Sequence, residues 1–219
     1  MASVSNIRPF ILKEEGGLSR SVSDKASSYP SPWTYNGVTG WHTNKGVTYK
    51  TFSSLSSKLG YANTADNFFK MPDSIWDKIF KNEYWNAWYL DQLNSQAIAD
   101  LLVDFSFNSG PGGSFSSIQK YLLKKGYNVS TRMQAINALN KIALFNEQQI
   151  FLELVAHREA FYKSLSTYPV NGKGWLSRLN NLKEFGLKTI AKKKIKIAVV
   201  VLTIILAVGI IGTFYYKSE

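Results

Sequence analysis

The sequence contains no cysteine and only two histidines, His42 and His157, among its 219 residues. Without cysteine the fold needs no disulfide bond, so the protein can assemble in a reducing or an oxidising compartment. The usual structural zinc sites need four Cys or His ligands, and two histidines cannot supply them. We therefore expect no metal and no other cofactor in the chemistry of this chain.

Acidic residues are also scarce, with 15 Asp and Glu against 26 Lys and Arg, which gives a formal net charge of +11. Part of this excess lies in residues 183–196, where six lysines oppose Glu184 alone. The rest is moderately basic, as suits a protein that approaches an anionic polymer, either a bacterial wall or a nucleic acid. No recognisable nucleic-acid-binding motif accompanies the charge, so we expect no nucleic acid among the partners.

One long run of the chain is apolar, because residues 197–216 carry no charge and are rich in Val, Ile, Leu and Ala. At about 1.5 Å per helical residue, such a run spans the roughly 30 Å hydrocarbon core of a bilayer. The alternative is a buried core helix, but the run is apolar on every face and ends in Tyr215 and Tyr216. We predict a C-terminal transmembrane helix at residues 197–216, preceded by a basic juxtamembrane linker at residues 183–196.

The two flanks of the chain bear on its orientation. Residues 1–10 lack a basic stretch followed by a continuous apolar one, so no ordinary secretion signal is visible there. The lysines just before the predicted span place the N-terminal part on the cytoplasmic side by the positive-inside tendency. We therefore expect a single-pass C-terminal anchor.

Upstream of the apolar run, hydrophobic residues recur at helical spacing, and most of these segments have a start or stop signal. The first helix would end at Gly16 and Gly17. The others centre on residues 52–59, 73–80, 98–105, 114–122, 131–139 and 142–165. Residues 18–48 are too rich in Ser, Thr, Gly, Pro and Asn for a helix, so we expect short strands or an extended active-site loop. This part of the chain is predicted to be mainly α.

The strongest local signal for chemistry is Glu14-Glu15-Gly16-Gly17, at the end of the first predicted helix. A carboxyl group at a helix C-terminus faces the negative end of the dipole, which raises its pKa, as a general acid requires. The two glycines would let a polymer approach the backbone closely. Taken alone, the same four residues also fit an ordinary helix end.

Further motifs follow in a fixed order along residues 10–182. The full set is Phe10-Ile11-Leu12-Lys13-Glu14-Glu15-Gly16-Gly17, His42-Thr43-Asn44-Lys45-Gly46-Val47-Thr48, Glu83-Tyr84-Trp85, Asp104-Phe105-Ser106-Phe107-Asn108-Ser109-Gly110, Arg158 to Tyr162, and Gly174-Trp175-Leu176-Ser177-Arg178. In this order they resemble glycoside hydrolase family 108, the N-acetylmuramidase family marked by Glu-Gly-Gly-Tyr. The resemblance implies a lysozyme-like catalytic part over residues 1–93. Residues 94–182 are similar to the family's helical, predicted peptidoglycan-binding part, packed on the first.

The resemblance also implies roles for individual residues. Glu15 matches the family's catalytic glutamate. Asp24 follows it by nine residues, the Glu-to-Asp spacing of phage-type lysozymes, and Thr43 would complete the catalytic set. The sequence departs from the family here, because Leu18 replaces the family tyrosine and residues 25–42 form a longer insertion. Asp24 therefore also fits an ordinary turn residue.

Six residues are candidates for binding the sugar chain: Trp41, His42, Asn44, Tyr84, Trp85 and Asn108. Aromatic rings stack on sugars, yet aromatics at helical spacing are more often core, so we expect only one or two to line a groove. Asp104 and Asn108 lie four residues apart on one helical face. For this pair we favour a network that links the two parts of the protein over a catalytic role.

The function that the resemblance implies is that of a bacterial or phage-derived peptidoglycan hydrolase of the lysozyme type. It would cleave the β-1,4 bond between N-acetylmuramic acid and N-acetylglucosamine, with Glu15 as general acid, from a location at the bacterial inner membrane. The alternative from another class is a non-catalytic, membrane-anchored peptidoglycan-binding or secretion-assisting protein. A membrane-tethered nucleic-acid-binding protein and a lytic transglycosylase are further alternatives, the latter using the same glutamate without adding water.

Overall fold

The computed structural model describes residues 1–22 and 24–216, with the side chains of Leu202 and of residues 205–216 left aside. The described chain is mainly helical, as the hydrophobic spacing predicts. Its helices are α1 (Val4–Glu14), α2 (Tyr49–Leu59), α3 (Ala65–Phe69), α4 (Asp73–Phe80), α5 (Gln96–Lys124), α6 (Arg132–Ala143), α7 (Glu147–Lys163) and α8 (Tyr168–Tyr216). A short hairpin of β1 (Thr43–Asn44) and β2 (Val47–Thr48) precedes α2.

Local capping chemistry sets several helix boundaries. The Thr48 hydroxyl accepts the backbone N–H of Thr51 at the start of α2, and Gly60 ends that helix with a φ of 67°. At the start of α6, Thr131 and Gln134 form a reciprocal capping box. These contacts satisfy backbone groups that the first and last helical turns leave without partners.

The core is organised around α5, which packs against α1, α6, α7 and α8. Its N-terminal half is buried almost completely, so side chains from every neighbouring helix meet on it. Gly110 has a φ of 73° and a ψ of 154°, which no α-helix accommodates, and Pro111 follows it directly. The helix is therefore kinked at the Gly-Pro-Gly-Gly sequence where a break between two helices was predicted.

The irregular region contains the short strands that were expected. β1 and β2 pair in antiparallel register, with Thr43 opposite Thr48 and Asn44 opposite Val47. Ser19 forms a further antiparallel bridge to Thr43. The segment after α1 is thereby fastened to the hairpin.

The predicted transmembrane helix requires correction. Residues 197–216 belong to α8, whose earlier turns pack through Leu179, Leu182 and Ile190. Most side chains of residues 197–216 lie outside the described part of the chain. Among the residues that are described, no helix is both long enough and apolar enough to cross a bilayer. The predicted transmembrane helix, the membrane contact through it and the single-pass inner-membrane location were therefore wrong.

Candidate active site

Glu15 lies at the C-terminal end of α1, as the sequence predicts. Its backbone N–H still donates to the Ile11 carbonyl at 2.9 Å, but its ψ of 133° turns the chain out of the helix. Ile7, Phe10 and Ile11 form the buried face of α1 and fix the helix against the core. The carboxyl group of Glu15 is therefore held on a packed element rather than on a free loop.

The carboxyl group of Glu15 is enclosed from three sides. Its Oε1 accepts a hydrogen bond from Arg178 Nη1 at 2.6 Å, and only 15% of the side chain is exposed. Gly46, at the turn between β1 and β2, lies so close that a Cβ there would be 2.5 Å from Glu15 Oε2 and 2.5 Å from Phe107 Cε1. Gly46 also has a φ of +74°, so both its backbone and its surroundings require glycine.

The environment of Glu15 favours its protonated form. Burial raises the pKa of the Glu15 carboxyl, the charge and hydrogen bond of Arg178 oppose this rise, and the nearby charges of Asp104 and Glu14 add to it. The outcome is a pKa above the ordinary value. Burial is thus the main physical cause, where the sequence alone suggested the helix dipole.

A buried ion-pair network supports Arg178 from behind. Arg178 Nη2 and Arg158 Nη2 each donate to Asp104 at 2.6 Å, one to each carboxylate oxygen. Burial would raise the pKa of Asp104, but the two guanidinium groups outweigh it and hold that pKa below its ordinary value. The Asn108 side-chain oxygen faces the same groups, 3.0 Å from Arg158 Nη2 and 3.1 Å from Arg178 Nε. Asp104 and Asn108 thus lie in a network that joins α5, α7 and α8 to Glu15.

Arg178 is the residue that sequence reasoning did not single out. It lies 163 positions from Glu15 and belongs to the last of the ordered motifs, to which no chemical role was attached. The available signal was its place in the ordered motifs, which also include Arg158.

Of the predicted sugar-binding residues, Tyr84 lies near enough to Glu15 for that charge to act on its pKa, and Asn108 lies against Arg158 and Arg178. The Tyr84 ring packs edge-on against Phe107 at 4.8 Å between centroids. Burial, followed by the charges of Glu83 and Glu15, raises the pKa of Tyr84 to about 12. Its hydroxyl therefore stays protonated at neutral pH and is able to donate a hydrogen bond.

The other two predicted catalytic residues lie apart from the carboxyl group of Glu15. Asp24 is exposed, and its Oδ1 accepts the backbone N–H of Ala26 at 2.9 Å, which caps a short 3-10 turn. Thr43 lies on β1, and its hydroxyl is 3.1 Å from His42 Nδ1. Within the described residues, neither forms a hydrogen bond or ion pair with Glu15.

Three predicted sugar-binding residues are buried and have structural partners. Trp85 donates its indole N–H to Asp91 at 2.8 Å. The Asn44 amide donates to the carbonyls of residues 68 and 69, and His42 Nε2 lies 3.2 Å from the Ser21 carbonyl oxygen. Trp41 is only partly buried, with the Arg20 guanidinium 5.7 Å from its ring centroid. Trp41 is thus the predicted aromatic that presents surface near the hairpin.

The described residues contain no group of three or more His, Cys, Asp or Glu side chains arranged to hold a metal ion. The residues around Glu15 are instead two arginines, carboxylates, an amide and aromatic rings. This set is suited to proton transfer and to sugar binding.

Comparisons with known proteins concern the fold and the family of this chain. The structure of SagA from Brucella abortus aligns with a TM-score of 0.62 at 24% sequence identity, covering 84% of this chain and 94% of that one, which supports the fold. No curated protein matches the chain. The family model described as glycosyl hydrolase 108 matches residues 8–110, the segment that contains Glu15, Gly46, Tyr84 and Asp104. Residues 8–110 of this chain are therefore similar to the glycosyl hydrolase 108 family.

Proposed function

We propose that this protein is a peptidoglycan hydrolase of the N-acetylmuramidase type, with Glu15 as its general acid. The bond cleaved is the β-1,4 link from N-acetylmuramic acid to N-acetylglucosamine. The observation that carries this proposal is the setting of one carboxyl group. Glu15 is mostly buried, has a raised pKa, and lies in a segment of a glycoside hydrolase family.

The chemistry begins with a proton on Glu15. Transfer of this proton to the glycosidic oxygen lets the bond between that oxygen and the anomeric carbon break, through an oxocarbenium-like transition state. Glu15 is then a carboxylate, and Arg178, 2.6 Å away, stabilises the new negative charge. Water then adds to the anomeric carbon and gives up one of its two protons to a base. The other proton stays on the new hydroxyl group, which leaves a reducing N-acetylmuramic acid end.

Asp24 is the proposed partner that holds the attacking water, with Thr43 beside it. Two contacts connect the loop before Asp24 to the hairpin that reaches Glu15. The Ser19 N–H donates to the Thr43 carbonyl at 2.9 Å, and the Ser21 carbonyl contacts His42. An inverting mechanism needs room for this water between the two carboxyl groups. The resemblance to phage-type lysozymes favours inversion.

The sugar chain is proposed to contact Tyr84, Asn108 and Trp41, each of which is at least partly exposed. Tyr84 and Asn108 supply hydrogen-bond donors beside the acid, and Trp41 supplies a ring for stacking. His42, Asn44 and Trp85 would act indirectly, by holding the hairpin and the turn after α4 in place.

Product analysis tests this function. We expect digestion of purified peptidoglycan in ¹⁸O-labelled water to give reducing N-acetylmuramic acid ends that carry one labelled oxygen, detected by mass spectrometry. Unlabelled anhydro-muramic ends would show a lytic transglycosylase instead. Intact glycan that still binds the protein would support the non-catalytic peptidoglycan-binding alternative.

A further inference from the structure

The turn that lies against Glu15 consists of two residues, Lys45 and Gly46, between the end of β1 and the start of β2. Their φ values are 46° and 74°, so both residues have the left-handed conformation that the tightest hairpin turns require. Glycine adopts this conformation readily, but for lysine it is unfavourable. Contacts with the rest of the fold must therefore hold the turn in place.

Trp76, in α4, supplies the contact that reaches the backbone of this turn. Its indole Nε1–H donates to the Lys45 carbonyl at 3.0 Å, across 31 positions of the chain. The Trp76 side chain is fully buried, and its ring stacks on Phe80 at 4.6 Å between centroids, with 12° between the ring planes. A ring packed in this way has little freedom to rotate, so the direction of its N–H is fixed. The carbonyl that it binds belongs to the peptide bond leading into Gly46.

Two other anchors hold the hairpin to the same part of the fold. The Lys45 ammonium group donates to the Met71 carbonyl at 2.9 Å and to Asp73 Oδ1 at 3.2 Å. The Asn44 amide donates to two carbonyls at the end of α3. Of these three anchors, Trp76 is the one that binds the backbone of the turn, and it does so from a buried position.

We propose that Trp76 is a positioning residue that acts on Glu15 through this turn. By holding the Lys45 carbonyl, it keeps Gly46 packed against the carboxyl group of Glu15 and against Phe107. The turn then shields that side of the acid from water. The meaning of this contact for catalysis rests on the proposed function, whereas the enclosure of the Glu15 carboxyl does not.

Loosening the turn should make Glu15 a stronger acid. Burial is the main cause of the raised pKa of Glu15, and a displaced turn would let water reach the carboxyl group. The groups that face it are Arg178 on α8, Asp104 on α5, Glu14 on α1 and the neutral Tyr84 hydroxyl after α4. They belong to elements other than the hairpin, so their effects should persist when the turn moves. The pKa of Glu15 should therefore fall towards its ordinary value.

The test compares Trp76→Phe with Trp88→Phe in the full chain. Both replace a fully buried tryptophan by the same smaller ring, but the Trp88 indole N–H has no hydrogen-bond partner among the described residues. Only the first change therefore removes a hydrogen bond. We expect Trp76→Phe to speed amide hydrogen exchange of residues 44–48 about fivefold, the factor that corresponds to one lost hydrogen bond.

The same variant should change the titration of the acid. In Trp76→Phe the ¹³C signal of the Glu15 carboxyl should titrate at lower pH, and the alkaline limb of kcat/KM should move to lower pH with it, because a general acid works in its protonated form. Trp88→Phe should leave the exchange, the titration and the pH profile as they are in the parent. A folded Trp76→Phe variant that keeps the parent titration of Glu15 would overturn the proposal.

The parent chain gives a second test that needs no tryptophan variant. The ¹⁵N–¹H signal of the Trp76 indole should shift with the titration of Glu15 and stay constant over that pH range in Glu15→Gln. An indole signal that does not follow this titration in the parent would also overturn the proposal. Hydrogen exchange and NMR titration need no turnover. Failure of the proposed function would therefore be seen separately, as a parent chain that clears no peptidoglycan while Glu15 still responds to Trp76→Phe.

Discussion

Replacing Arg178 by methionine tests whether the buried ion pairs set the acidity of Glu15. Arg178 is 11% exposed and contacts the carboxylates of Glu15 and Asp104, each at 2.6 Å. Its removal leaves Asp104 paired with Arg158. Glu15 then loses the positive charge that offsets the nearby negative charge of Asp104. Breaking a buried pair in this way costs about 3 to 5 kcal/mol of unfolding free energy.

The direction of the pH effect follows from the causes of the Glu15 pKa. Arg178 is the group that lowers this pKa, whereas burial and the charge of Asp104 raise it. The variant should therefore have a still higher Glu15 pKa. A general acid works in its protonated form, so the fall of kcat/KM at alkaline pH should move to higher pH. Arg178→Lys keeps a positive charge and should shift the profile less.

The assay is kcat/KM on soluble peptidoglycan across the pH range, with urea unfolding of the same variants. Arg8→Met serves as a control, because it breaks two partly exposed ion pairs, with Asp73 and Asp77, that are separate from the pairs of Arg178. We expect this control to lose much less stability and to keep the parent pH profile. A folded Arg178→Met variant whose alkaline limb stays in place, or moves to lower pH, would refute the reasoning.

Two further predictions concern a glycine and a buried acid. Gly46→Ala should lower both stability and activity, because the added Cβ would meet Glu15 and Phe107 at 2.5 Å; Gly37→Ala has the same φ of +74° with nothing within 4 Å, so clearance assays should show a loss specific to position 46. Burial raises the pKa of Asp100 to about 7, against the opposing hydrogen bonds from Gln96 and Asn6. Because the folded-state pKa lies above the unfolded value, stability should be full below about pH 4 and be lost as pH rises through 7, by at most about 4 kcal/mol. Urea unfolding from pH 4 to 8 measures this slope, and an equally steep slope in Asp100→Asn would contradict it.

The sequence was informative wherever a local signal decides the structure. The glycines after Glu15 predict the end of α1, Gly60 predicts the end of α2, and Thr131 predicts the start of α6, because each acts on backbone groups within one turn. The position of Glu15 at a helix end could therefore be predicted. So could the break at Gly110, since no other residue type enters that conformation easily.

The contacts of the site could not be predicted in the same way. Arg178 reaches Glu15 across 163 residues, and no spacing rule connects two positions so far apart. Tyr84 and Trp85 are adjacent, yet the first lies near the acid and the second is buried against Asp91. Neighbours in sequence separate in this way because the turn after α4 directs their side chains to different surroundings.

The apolar run at the C-terminus shows another limit of sequence patterns. A hydropathy window describes composition, and it does not show that a run continues a longer helix. In the structure residues 197–216 extend α8, whose preceding turns include Phe185, packed 5.4 Å from Phe10, and Lys193, paired with Glu147 at 2.8 Å. Residues 183–196, the expected linker, are helical and belong to α8.

The central claim is that Glu15 donates the proton that breaks the glycosidic bond, and its most direct test is the clearance of purified peptidoglycan by Glu15→Gln. Glutamine keeps the size of the side chain and removes the transferable proton, so activity should fall by about 10²- to 10⁴-fold while circular dichroism shows an unchanged fold. Glu14→Gln removes the same charge from the neighbouring residue, whose carboxylate contacts Asn181 at 3.0 Å, and should keep most activity. A folded Glu15→Gln variant that clears the wall as fast as the parent would contradict the account.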